Sequence, residues 1–123
     1  MEKICLDTEV TIDFLLGEKT TVEKLRNYIV KEEICINPIT LFYLHRAIQK
    51  PDVVSNFAAN VTVMQLDSQA AAKAAEIEQE LREKGIEKTN DIILTAAMCI
   101  VNSAFLFTKD RKKFDGIRGL KIV

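Results

Sequence analysis

Four acidic side chains stand where apolar runs stop or start. Asp7 closes the run Ile4–Cys5–Leu6, and Glu9 follows two residues later. Asp91 opens the run Ile92 to Val101, and Asp110 comes shortly after Ala104–Phe107. Carboxylates brought together repel one another, and a hard divalent cation removes that repulsion. An all-oxygen ligand set suits Mg²⁺ or Mn²⁺. Zinc has no support, because the chain has one histidine, His45, and three widely spaced cysteines. Each acid also has a simpler use. Asp7 can cap the following helix, Asp91 suits a first helical turn by about 0.5 kcal/mol, Asp110 can form an Asx-turn before Arg111, and Asp67 can belong to a loop or cap before Ser68. Both the metal site and the separate caps remain open at this point.

The surrounding elements decide whether these acids can meet. Ile4–Leu6, Ile34–Ile36, Val61–Leu66, Ala104–Phe107 and Leu120–Val123 read as short buried strands. Helical periodicity predicts Val10–Leu16, stopped by Gly17, and a helix from a Thr20 or Thr21 cap to Lys31 with Val22, Leu25 and Ile29 on one face. Pro38 suits the first turn of a helix bearing Leu41, Leu44 and Ile48, and Pro51 opens another to Ala59. Ser68 caps a long helix whose stripe is Ala70, Ala74, Ile77 and Leu81, stopped by Gly85. Thr89 or Asn90 caps a last helix, apolar on nearly every side, which predicts burial on several sides or a subunit interface. Short apolar strands alternating with helices predict a three-layer α/β/α domain over 1–123, with a central parallel sheet of four to five short strands. Ligands bind such sheets beyond the carboxyl ends of the strands, where Asp7, Asn37, Asp67 and Asp110 fall. The helix start at Asp91 can reach the same edge.

Composition narrows the classes. The chain has 123 residues, 48% of them hydrophobic, with 17 basic and 18 acidic side chains. That is enough for one core, and the charge balance selects no partner. Cys5, Cys35 and Cys99 lie inside apolar runs without a CxxC pair, which predicts buried free thiols in a reducing compartment. No signal-peptide pattern is present, and the longest apolar run is about half a bilayer span. These features predict a soluble cytoplasmic protein.

Three stretches together resemble the PIN domain family, in its small VapC-like subgroup. KICLDTEVTIDFLLG is similar to that family's opening strand–Asp–Thr motif. TNDIILTAAMCI is similar to its Asp-led, alanine-rich helix, and AFLFTKDRKKFDGIRGLKIV to its closing strand, Thr-x-Asp, Phe and Gly-Leu. The resemblance covers nearly the whole chain. It implies a Mg²⁺- or Mn²⁺-dependent endoribonuclease, a toxin paired with an antitoxin protein and built into homodimers. It further implies that Asp7, Asp91 and Asp110 are acidic metal ligands and that Thr108 stands beside the last of them.

Two positions depart from the family pattern. Glu9 stands where an amide or hydroxyl is usual, and Tyr43, in TLFYL, occupies the place of a second acidic ligand. A phenol is a poor ligand for Mg²⁺ at neutral pH, but it can stack on a base or bond a phosphate. Glu9 either restores the lost carboxylate or merely favours the helix start, and one carboxylate, Asp110 or Glu9, could orient the attacking water as general base. Lys109, Arg111, Lys112, Lys113 and Arg118, with Arg46 and Lys50 following Tyr43 at one and two helical turns, could form a phosphate-gripping rim. Lys113 and Arg118 taken singly read as solvated charges, and His45 as surface packing. Three rival readings stand beside the nuclease: a PIN-like RNA- or protein-binding module that no longer cuts, a receiver domain phosphorylated on Asp67, and a DxD phosphatase. The receiver lacks the adjacent acid pair after its first strand, and the phosphatase lacks its second Asp.

Overall fold

A computed structural model describes residues 1–123. Five strands form one parallel sheet, in the spatial order Thr62–Val63, Glu33–Ile36, Lys3–Leu6, Ala104–Phe107 and Lys121–Ile122. They are β1 (Lys3–Leu6), β2 (Glu33–Ile36), β3 (Thr62–Val63), β4 (Ala104–Phe107) and β5 (Lys121–Ile122). The helices are α1 (Thr8–Leu15), α2 (Lys19–Ile29), α3 (Pro38–Ala47), α4 (Pro51–Ala59), α5 (Ser68–Glu83) and α6 (Asn90–Val101), and a 3₁₀ turn spans Arg111–Phe114. This is the expected three-layer parallel α/β architecture.

Side-chain alternation along the strands sorts the core into two layers. Ile4, Leu6 and Ile36 face one side, where they pack with Val10 of α1, Leu25 of α2, Leu44 of α3 and Val54 of α4. Cys5, Cys35 and Leu106 face the other side, covered by Ala70, Ala74, Ile77 and Leu81 of α5 and by Ile93, Ala96, Ala97, Met98 and Cys99 of α6. The α5 stripe is the one its spacing predicts. In α6 the run Thr95–Cys99 is wholly buried, as an all-apolar helix requires. No helix is long and apolar enough to cross a membrane.

Several boundaries differ from expectation for identifiable reasons. The α2 cap is Glu18, whose carboxylate accepts the N–H groups of Thr20 and Thr21 together. One group thus satisfies two orphan helix donors, which a threonine hydroxyl cannot do. The Thr21 hydroxyl, foremost, holds the Glu18 carboxyl below its ordinary pKa. The buried residues of α2 are Thr21 and Leu25, whereas Ile29, at the helix end, is 47% exposed. Asp67, not Ser68, caps α5, accepting the Ala70 N–H at 3.0 Å. β3 ends at Val63 because it is an edge strand and the chain leaves the sheet after Met64 N donates to Ile36 O. Phe14 and Leu15 of α1 are half-buried, Phe14 lying against Phe57, whereas Leu16 just after the helix is exposed.

All three cysteines are free and buried. The hydrogen bond with Cys99, then burial, pushes the Cys5 thiol far up. Burial, then the Glu33 carboxylate, lifts Cys35 from 9.0 to about 11. A raised folded-state pKa means that the associated stability is complete below about pH 9 and is lost as pH climbs through about 11. The thiolate is the reactive form. The expected outcome is that Cys5 and Cys35 resist a thiol reagent at pH 8 in the native protein and react once guanidinium unfolds it, as thiol titration would show.

Candidate functional site

β1 pairs with β2 on one side and β4 on the other. Chain connections leave these strands in opposite directions, so the carboxyl ends of β1 and β4 form the switch point where parallel α/β sheets bind ligands. Asp7 ends β1 there, and its N–H donates to Phe107 O at 3.0 Å, tying it to the end of β4. Extended backbone at Asp7 (φ −65°, ψ 159°) lets its side chain cap α1. Oδ1 accepts the Thr8 N–H at 2.9 Å. Oδ2 accepts the Thr108 hydroxyl at 2.8 Å and the Lys113 ammonium at 3.1 Å. Asp7 is only 7% exposed, so these three donors are what make a buried carboxylate tolerable.

Asp91 lies in the first turn of α6, after a Thr89 cap that makes no side-chain bond. The Tyr43 hydroxyl of α3 donates to Asp91 Oδ2 at 2.6 Å. That bond, foremost, raises the Tyr43 phenol above 10.0, which keeps it a neutral donor. Asp7 and Asp91 line one pocket of about 270 Å³ with Thr8, Glu9, Tyr43, Thr95 and Lys113. Glu9 is exposed in the first turn of α1.

Asp110 does not join them. The Thr108 hydroxyl bonds Asp7 and also accepts the Asp110 N–H at 3.2 Å, which turns the backbone into the 3₁₀ segment. Asp110 is exposed at its start and does not line the pocket. Nowhere do three His, Cys, Asp or Glu side chains converge closely enough to hold a metal ion. The pocket's donors are therefore two carboxylates with Glu9 beside them. Their oxygen chemistry fits a hard cation such as Mg²⁺, which retains several waters and needs only one or two protein carboxylates.

The basic residues divide. Thr108, Lys109 and Arg111 line a neighbouring cleft of about 950 Å³, with Lys24, Lys31 and Tyr28 of α2. Lys109 pairs with Asp13, and Arg118, 81% exposed in its side chain, with Glu80. The Arg46 guanidinium lies 5.6 Å from the ring centres of both Phe42 and Tyr43, within cation–π range. His45 is exposed. Lys113 is not the free solvated charge its sequence suggests, because it is bound to Asp7.

A polar frame behind the pocket has little sequence signal. Asn37, fully buried at the end of β2, accepts the Thr40 N–H at 2.9 Å and donates to the Thr95 hydroxyl at 3.2 Å. The Thr40 and Thr8 hydroxyls bond at 2.8 Å. This frame links α1, α3 and α6, the helices that carry the pocket. The Asn37–Pro38 pair marks a helix start, but nothing local marks the bond to a residue of α6.

A parallel α/β sheet with two acids meeting at its switch point defines a class of acidic-pocket domains. Within that class, the PIN domain family model matches residues 4–120, and the chain belongs to that family. A VapC ribonuclease of Pyrococcus furiosus is 36% identical over 56 residues, 46% of this chain and 38% of that protein. That alignment spans less than half the length of either protein. Among solved structures, VapBC2 from Rickettsia felis, bound to a DNA fragment from its promoter, is similar at TM-score 0.86 and 20% identity, covering 98% of this chain and 97% of that one. DNA-bound VapBC from Salmonella typhimurium is similar at TM-score 0.85 and 25% identity, covering 100% and 98%.

Proposed function

We propose that this chain is a divalent-metal-dependent endoribonuclease of the VapC kind, a toxin restrained by an antitoxin protein and assembled as a homodimer. The observation that carries this reading is that Asp7 and Asp91 meet in one pocket at the carboxyl edge of the sheet. The ribonuclease name of the Pyrococcus relative supports the activity. The VapBC names of the structural neighbours support the antitoxin.

In this reading Asp7 and Asp91 hold Mg²⁺ or Mn²⁺, and Asp110 stays outside the ligand set. A divalent ion held by these residues would supply positive charge toward a phosphodiester and make water more acidic. Thr108 keeps Asp7 oriented through its 2.8 Å hydrogen bond. Glu9, on the rim, would orient a water for attack as general base. Arg46 and the ring of Tyr43 offer charge and a stacking face to RNA. Lys109 and Arg111, with Lys24 and Lys31, grip phosphates along the adjoining cleft. The test is RNA cleavage in Mg²⁺ or Mn²⁺ by wild type and by Asp7→Asn.

Glu9 carries its own prediction. As a replacement for the carboxylate missing at Tyr43, it holds metal, and Glu9→Ala weakens Mn²⁺ binding by about tenfold, equal to about 1.4 kcal/mol. As a helix-start acid alone, its loss costs about 0.3–1 kcal/mol of stability and leaves metal affinity unchanged. Calorimetric Mn²⁺ titration with a parallel thermal melt distinguishes the two, and cleavage lost at unchanged Mn²⁺ affinity assigns Glu9 the general-base role instead.

A second reading rests on the Tyr43–Asp91 bond. With Asp91 held by a phenol, the chain would be a PIN-like RNA- or protein-binding module that does not cut. Absence of Mn²⁺ binding at millimolar metal would favour it.

A further inference from the structure

The 3₁₀ turn Arg111–Phe114 is held in place from both sides. Phe114 is buried at its end, and the Lys88 ammonium donates to Lys112 O at 3.2 Å. Lys113 N donates to Asp110 O at 3.3 Å. This anchoring sets the Lys113 ammonium 3.1 Å from Asp7 Oδ2, with the Lys113 side chain 30% and the Asp7 side chain 9% exposed. Oδ2 already accepts two hydrogen bonds, and Oδ1 is engaged by the helix cap. The pocket thus contains a cation of its own, bonded to its most buried acid.

We propose that Lys113 is a resident counter-cation that competes with a divalent ion for Asp7 and sets how tightly this chain loads metal. The proposal rests on the reading in which Asp7 and Asp91 hold the ion. An ammonium bonded to Oδ2 and a divalent ion coordinated by that same oxygen would be like charges a few ångströms apart, beside a carboxylate that is only 9% exposed. One must leave. Metal entry therefore requires Lys113 to swing away, and the broken ion pair is subtracted from metal affinity. Tyr43 adds a smaller obstacle at Asp91, because a neutral hydroxyl repels no cation.

Isothermal calorimetry with Mn²⁺ alone tests this on the full chain, comparing wild type, Lys113→Met, Lys113→Arg and Asp7→Asn, each checked by circular dichroism. Lys113→Met keeps the stem and removes the charge, and is expected to bind Mn²⁺ several-fold tighter, up to about fivefold. Lys113→Arg restores the charge and should return affinity to the wild-type value, which a merely structural role would not require. Lys113→Gln provides a second neutral variant should Lys113→Met misfold. Equal or weaker binding by a folded neutral variant, while wild type binds and Asp7→Asn does not, overturns the proposal and leaves the metal site standing. Absence of Mn²⁺ binding by wild type and every Lys113 variant overturns the metal reading and the proposal together.

Discussion

Asp7→Asn is expected to reduce RNA cleavage in Mg²⁺ or Mn²⁺ by about 100-fold or more. Changes merely adjacent to a metal ligand cost about 10–100-fold in affinity or activity, so replacing the ligand itself should cost at least as much. The substitution is chosen because the fold should survive it. Asn caps a helix about as well as Asp, and its amide oxygen can still accept the Thr8 N–H that Oδ1 takes at 2.9 Å. The lost ion pair involves a Lys113 side chain that is 30% exposed. Solvent screening limits that loss to about 1 kcal/mol or less. Cleavage should therefore collapse while the thermal midpoint moves by only a few degrees. Asp110→Asn makes the contrast. Asp110 is exposed and outside the pocket, so its substitution should reduce cleavage far less. If Asp7→Asn cuts as fast as wild type, the Asp7–Asp91 pocket is not where RNA is hydrolysed.

What the sequence revealed of this arrangement follows from which forces are local. β4 spans Ala104–Phe107 as expected, because a four-residue apolar run between polar neighbours has one place to go. The α5 stripe was legible because each of its four small or aliphatic residues recurs at helical spacing and is buried. Ile29 misled because it belongs to the α2 pattern but sits in the final turn, beyond the covering layer. Val61–Leu66 was too long because an edge strand loses its pairing before its apolar run ends. At the site, Asp7 and Asp91 were legible as acids at element ends. Lys113 was not, because the 3₁₀ turn has no periodic signature and its contact joins residues 106 positions apart. Asp110, a ligand by family resemblance, is exposed after the turn at Thr108 and does not line the pocket that Asp7 and Asp91 share.

Asn37→Ala should destabilise the protein by about 3 kcal/mol, from a lost helix cap of about 1 kcal/mol and buried partners left unsatisfied at about 1–3 kcal/mol. Asn37 and Thr40 are 0% and 1% exposed, so water cannot readily replace the amide. The Thr40 N–H loses its acceptor, and the Thr95 hydroxyl loses its donor. For a chain of this length that should lower the thermal midpoint by roughly 10 °C. Denaturant melts should show a lower midpoint with an unchanged slope if the native fold persists. The consequence reaches the site, because Thr40 also bonds Thr8, next to Asp7, and Thr95 lies one helical turn after Asp91. Removing Asn37 frees α3 and α6 to shift relative to each other, so the Tyr43–Asp91 hydrogen bond between them should loosen. Mn²⁺ affinity should then change even though Asn37 lies in neither the ligand set nor the pocket lining. Wild-type stability in Asn37→Ala would show that water satisfies this frame and that the two helices are positioned by apolar packing alone.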